Sequence, residues 1–167
     1  MATPNERLAT SLERLKELQE GGRCVFQSKE FARVHRERLL ENGFLRDVIK
    51  GWLISTSPGT TECDTTPWYA SFCEFCARYC DERFGDTWHL SPEQSLLLHA
   101  ENTVIPPQVV VYSVKGTNNN LDLLFGASLY DLKQNKMPPA ADITVKDGLR
   151  LYTLPAALIK VPEAFYR

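Results

Sequence analysis

The sequence predicts an α+β fold, in which an N-terminal winged helix-turn-helix is followed by a small mixed α/β domain. The first observation is a capped helix start followed by leucines at helical spacing. The second is the order helix, strand, helix, helix and hairpin within about 55 residues, which is the order of a winged helix-turn-helix. The third is a series of short β-branched runs after residue 106, separated by glycine and proline turns.

The first helix has a clear start and end. Thr3-Pro4-Asn5-Glu6 combines a capping threonine, a proline at the first helical position and a glutamate that completes a capping box. Gly21-Gly22 ends the helix. Four leucines recur between these signals at helical spacing: Leu8, Leu12, Leu15 and Leu18.

The next 30 residues predict a strand, two helices and a hairpin. Residues 24–26 are extended, Ser28 caps a short helix that carries Phe31 and Ala32, and a further helix covers residues 34–41. Apolar stretches at 44–49 and 52–54 flank Lys50-Gly51, which indicates a tight β-hairpin. The polar segment 55–66 predicts a linker, and the domains are therefore expected at 1–55 and 66–167.

The second domain is predicted to begin with a helix from Thr66-Pro67 to about residue 84, closed by Gly85. A short strand at 88–90 and a helix opened by Ser91-Pro92-Glu93-Gln94 follow. Strands are expected at 109–114, 121–125 and 127–132, a second hairpin at 142–153 and a short helix at 156–161. Because the chain stops at an aromatic segment without a helix cap, we expect the domain to be truncated at its C-terminus.

Charge and composition limit the functional classes and cellular compartments to which the protein can belong. The net charge is −2, but residues 1–52 carry ten Lys/Arg against eight Asp/Glu, a balance of +2. No apolar run approaches the roughly 18 residues needed to cross a bilayer. No secretory signal is visible and the five cysteines are odd in number, so we expect a cytoplasmic protein with reduced thiols and no membrane partner.

A basic stretch gives the strongest chemical indication. In a winged helix the recognition helix enters the major groove, and arginine or lysine there can reach phosphates or guanine edges. The alternative is an ordinary solvated helix face that Glu37 and Glu41 neutralise. The candidate DNA-binding residues are Lys29, Arg33, His35, Arg36 and Arg38 on the helical part, and Arg46 and Lys50 on the wing.

The pattern of cysteines and histidines indicates a role in packing rather than in catalysis or metal binding. Cys73, Cys76 and Cys80 fall within about 60° of one another on a helix, on a side shared with Tyr69. Three thiols on an apolar arc pack well, whereas a zinc site would need a fourth ligand such as Cys63 or His89. No nucleophile–base, zinc-protease or P-loop pattern is present, so we expect no catalytic residue, metal or cofactor.

Several stretches carry a family resemblance. Residues 28–54 contain HRERLLENGFLRDVIKGWLI, with Gly43 after the helix and Gly51-Trp52 in the hairpin. Residues 88–113 contain a helix with Ser95 and His99 that leads into a strand, and 149–161 contain a strand followed by a helix. These parts resemble the winged helix and the following α/β region of AbiEi-type antitoxins and related transcriptional regulators.

The whole chain is similar to the N-terminal region of long Fic-family (filamentation induced by cAMP) proteins. The similarity is carried by FLxxxIKGW at 44–52, WYASF at 68–72 and LSPEQSL at 90–96. It implies a DNA-binding, antitoxin-like regulatory module, the non-catalytic N-terminal part of a Fic-type protein, with operator DNA as its partner. The weak net charge predicts that a monomer binds this DNA with low affinity. The adenylyltransferase signature HPFxxGNGR is absent, so any such activity is expected beyond Arg167. The alternative is a protein-interaction or autoinhibitory module that binds a toxin or a Fic domain.

Overall fold

The computed structural model describes residues 1–167, which form two compact units, Met1–Glu74 and Phe75–Arg167. The fold is mixed α+β, as the sequence predicts. The helices are α1 (Pro4–Leu18), α2 (Arg33–Glu41), α3 (Thr66–Phe84), α4 (Pro92–His99) and α5 (Leu154–Lys160). The strands are β1 (Val25–Gln27), β2 (Leu45–Ile49), β3 (Trp52–Ser55), β4 (Trp88–Leu90), β5 (Gln108–Ser113), β6 (Asn119–Asp122), β7 (Ser128–Lys133), β8 (Ile143–Lys146) and β9 (Leu149–Tyr152). None of the helices is both long and apolar enough to span a bilayer.

The N-terminal unit begins with the predicted capping box. The Glu6 N–H donates to Thr3 Oγ1 at 3.2 Å, and the Thr3 N–H donates to a Glu6 carboxylate oxygen at 2.6 Å. The helix packs on an antiparallel sheet with the strand order β1-β3-β2. The core of this unit consists of Leu15, Phe26, Phe31, Leu39, Leu45 and Leu53.

The β2–β3 hairpin is confirmed, and its turn depends on Gly51. This residue has a φ of +89°, a conformation that side-chain-bearing residues rarely adopt. By contrast, the helix predicted from Ser28 onward is wrong. Only a 3-10 turn forms at Ser28–Glu30, after which Phe31 is extended, with a φ of −115°. Phe31 is buried in the core, so the chain straightens there before α2 begins.

Helix α3 has the predicted bounds and ends at Gly85, which has a φ of +64°. Its buried side changes along its length, because one half belongs to each compact unit. The prediction that Tyr69 and Cys73 share the buried side with the later cysteines is therefore wrong, since both side chains are exposed. The side chains buried in its C-terminal half include Phe75, Cys76, Tyr79, Cys80 and Phe84.

The C-terminal unit contains a four-stranded sheet with the order β4-β5-β7-β6. Strands β5 and β7 are parallel, and the two outer pairings are antiparallel. The sequence predicts strand β6 at 121–125, but the strand begins at Asn119, because the carboxylate of Asp131 on β7 accepts the Asn119 N–H at 2.7 Å and pairs the chain from that residue onward. The predicted end of that strand forms a 3-10 turn in which Phe125 has a φ of +54°.

Helix α4 begins at the predicted cap, where Ser91 Oγ accepts the Gln94 N–H at 3.2 Å. Gln94 does not complete a capping box. Its side-chain amide instead donates to the Gln108 carbonyl at 2.9 Å and accepts the Val110 N–H at 3.1 Å, so it extends the hydrogen bonding of β5 beyond the end of β4. The predicted second hairpin is present as β8–β9 and leads directly into α5.

Candidate nucleic-acid interface

Helix α2 lies between the 3-10 turn and the hairpin, within the N-terminal unit. It follows Ala32, which provides no side-chain cap, and it ends at Asn42. Leu39 anchors it in the core with no exposed surface. Most of its remaining side chains are polar, so the helix is held by one apolar side and leaves its other sides to charged groups.

The turn before α2 is joined to the tip of the hairpin. The Ser28 N–H donates to the Gly51 carbonyl at 2.9 Å, and the Ser28 carbonyl accepts a hydrogen bond from Arg36 Nη1 at 3.2 Å. Lys29 directly follows Ser28, and Lys50 directly precedes Gly51. The fold therefore brings the backbone positions of Lys29 and Lys50 close to each other and to the Arg36 guanidinium.

Arg33 is the first residue of α2 and the most solvent-exposed arginine of the helix. Its Nε donates to Glu37 Oε1 at 2.7 Å, and 80% of its side-chain surface and 51% of that of Glu37 remain accessible. The hydrogen bond raises the pKa of Arg33 and lowers the pKa of Glu37, so both groups are charged at neutral pH. The positive charge of the nearby Arg36 lowers the pKa of Glu37 further.

His35 and Arg38 do not project from the helix as the sequence predicts. Both turn toward α1, where Ser11 Oγ lies 2.8 Å from His35 Nδ1 and 2.8 Å from Arg38 Nη1. The same Arg38 nitrogen donates to the Arg7 carbonyl at 2.8 Å. Ser11 is fully buried. The His35 and Arg38 side chains therefore hold α2 against α1, and we exclude both from the candidate DNA-contacting residues.

Arg46 lies on β2, and its Nη1 donates to the Glu62 carbonyl at 3.2 Å. This contact draws its guanidinium toward the segment that follows the hairpin. Arg46 is therefore not among the residues grouped at the Ser28–Gly51 contact.

An acidic residue that the sequence does not single out positions the turn before α2. Both carboxylate oxygens of Glu30 accept from Arg23 Nη2, at 2.8 and 2.9 Å, and one of them also accepts the Gln27 N–H at 2.7 Å. Arg14 of α1 donates to the Glu30 carbonyl at 3.1 Å. The Gln27–Glu30 spacing is a local signal, but the contributions of Arg14 and Arg23 follow only from the fold.

The cysteines and histidines of the C-terminal unit have structural environments. Burial raises the pKa of the Cys80 thiol well above its usual range, so the thiol is protonated and unreactive. His99 Nε2 lies 2.8 Å from the Tyr152 carbonyl. No cluster of three or more His, Cys, Asp or Glu side chains could hold a metal ion.

Comparison with known proteins finds no relative of this chain. No family model, no curated protein and no solved structure matches the chain.

Proposed function

We propose that the N-terminal unit is a winged helix-turn-helix module that binds duplex DNA. The order α1, β1, 3-10 turn, α2 and β2–β3 hairpin supports this assignment, as does the antiparallel sheet in which β3 lies between β1 and β2. In such a module α2 is the recognition helix and the hairpin is the wing.

The contact of Ser28 with Gly51 and Arg36 is the observation that carries the proposal. It unites cations from the turn, the helix and the hairpin, which are the three elements that a winged helix presents to DNA. The rigid backbone contact fixes the positions from which these side chains reach the phosphates, so the backbone itself loses little conformational entropy on binding. The proposed DNA-contacting residues are Lys29, Arg33, Arg36 and Lys50.

The regulatory role follows from the family resemblance. The chain would act as an antitoxin-like repressor module, the non-catalytic N-terminal part of a Fic-type protein, with operator DNA as its partner. Four cations on a chain of net charge −2 support only weak binding by a monomer, so paired sites or dimerisation would provide the affinity.

A salt titration tests DNA binding directly. Binding of the full chain to a duplex from its own promoter is measured by fluorescence anisotropy from low to physiological salt. The double variant Arg33→Gln/Lys50→Gln should weaken binding and flatten the salt dependence by about 0.9 logarithmic units for each phosphate that the protein no longer neutralises. The control Lys16→Gln/Lys133→Gln removes the same charge at exposed sites outside the interface. Equal behaviour of the two variants, or no binding at low salt, refutes the proposal.

A second candidate function is favoured by apolar side chains at the end of the C-terminal unit. The exposed residues are Leu154, Leu158, Ile159, Phe165 and Tyr166. The Tyr166 hydroxyl donates to the Leu158 carbonyl at 3.1 Å, which brings the last residues of the chain onto α5. Such a surface suits a protein partner such as a toxin or a Fic domain. A pull-down of that domain by the full chain, abolished in Leu158→Asp/Phe165→Asp, tests this alternative.

A further inference from the structure

The Arg33–Glu37 contact leaves the end of the guanidinium available. Glu37 occupies only Nε, and neither Nη atom of Arg33 hydrogen-bonds within the chain. The two residues lie one helical turn apart, and the hydrogen bond restrains the guanidinium beside Glu37. The two Nη nitrogens of Arg33 therefore form a two-donor fork that faces solvent.

A fork of this kind matches one base edge in the major groove. Guanine presents two acceptors there, N7 and O6, and a bidentate arginine is the commonest specific contact to it. A phosphate can accept from an arginine in many orientations, but a base edge requires the correct plane. A carboxylate that holds Nε provides this orientation without competing for the Nη donors.

We propose that Glu37 is a positioning residue that orients Arg33 to read guanine in the major groove. This inference rests on the proposed DNA-binding function and deepens it, because it assigns sequence discrimination to α2. Lys29, Arg36 and Lys50 then contribute affinity for the phosphates, and Arg33 contributes the choice of base.

If only its charge mattered, Glu37 would weaken DNA binding. An exposed ion pair contributes little to stability, and an acidic side chain beside DNA repels phosphate. If Glu37 only neutralised Arg33, its replacement by alanine would strengthen binding to every sequence equally. If Glu37 orients Arg33, the same change removes the preference for guanine while binding to mixed-sequence DNA is retained or increased.

The experiment uses the full chain and a randomised duplex library. Wild type is expected to select guanine at one position, and replacement of that base pair should weaken binding about tenfold or more. Glu37→Ala should abolish this difference, because alanine cannot accept the Arg33 Nε hydrogen bond, and Arg33→Gln should abolish it and also weaken binding to mixed-sequence DNA. Glu41→Ala is the matched control, because Glu41 is exposed on the same helix, and this variant should keep the guanine preference.

Three results separate the inference from the function on which it rests. Loss of the guanine preference in Glu37→Ala, with the preference kept in Glu41→Ala, supports the inference. DNA binding without a base preference in wild type, or with a preference that Glu37→Ala keeps, overturns the inference and leaves the proposed function standing. Absence of DNA binding by wild type overturns both. Circular dichroism melting of Glu37→Ala verifies that the variant is folded.

Discussion

The backbone N–H of Ser28 donates to the carbonyl of Gly51 across 2.9 Å, which connects the turn before α2 to the tip of the β2–β3 hairpin. The residues flanking this bond, Gln27 and Trp52, are paired in the β1–β3 register. The bond thus extends the sheet by one step beyond the last strand pair. The turn and the hairpin tip are consequently fixed relative to each other within the N-terminal unit.

Replacing Gly51 by alanine should weaken this connection. A side chain at a φ of +89° is strained, and the left-handed conformation costs about 1–2 kcal/mol. We expect a loss of that size in urea denaturation and weaker DNA binding. Gly59→Ala is the control, because Gly59 has a similar φ of +86° and equally open surroundings but lies outside the interface. DNA binding impaired equally in both variants would contradict a specific role of the Ser28–Gly51 connection.

Ser11→Ala should destabilise the contact between α1 and α2. The hydroxyl of Ser11 is fully buried and hydrogen-bonds to His35 and Arg38, so its removal leaves two polar groups without this partner. His35 and Arg38 are half-buried, and Arg38 keeps its hydrogen bond to the Arg7 carbonyl. We therefore expect a loss of about 1 kcal/mol in the free energy of unfolding from urea titration, the net contribution of a typical hydrogen bond. Thr10→Ala removes an exposed hydroxyl from the same helix and should be nearly neutral. Equal stability of the two variants would rule out a stabilising role for Ser11.

Acidification should destabilise the C-terminal unit through His89. This side chain is fully buried, and its burial lowers its pKa, an effect to which the charges of Arg150 and Lys160 add. The folded state binds the proton less readily than the unfolded state does, so this contribution to stability is complete above pH ~7 and declines below pH ~6.5.

The slope of this decline can reach roughly 1.4 kcal/mol per pH unit. Urea midpoints measured between pH 8 and pH 5 should reveal it, and His89→Gln should reduce the slope because glutamine does not titrate. His99→Gln is the control, since it removes a half-buried histidine of the same unit. An unchanged slope in His89→Gln would refute the assignment to His89.

Features that depend on neighbouring residues could be predicted from the sequence, and features that depend on distant partners could not. The capping box at Thr3 and the bounds of α3 follow from local signals, and both are confirmed. The orientations of His35 and Arg38 depend on Ser11, which precedes them by 24 and 27 residues. The sequence therefore locates a basic helix, and only the fold separates the cations that hold it from those that face solvent.

Gln94 illustrates the same limit in the C-terminal unit. Its position three residues after Ser91 fits a capping box, but its amide bonds to β5, 14 and 16 residues away, because that strand extends past the end of β4. The Arg33–Glu37 contact is the converse case, since its four-residue spacing on a helix is a local signal from which it could have been predicted.

Asp131→Asn should be among the most damaging substitutions in the C-terminal unit. The carboxylate is almost fully buried, accepts from the Thr117 N–H and hydroxyl and from the Asn119 N–H, and lies 3.2 Å from Arg83 Nη2. Asparagine places an NH₂ group against one of these donors and leaves Arg83 without its counter-charge, so about 3 kcal/mol of stability should be lost. Asp122→Asn is the control, because Asp122 is exposed on β6. Urea denaturation followed by tryptophan fluorescence measures both, and equal losses would show that Asp131 does not organise the start of β6.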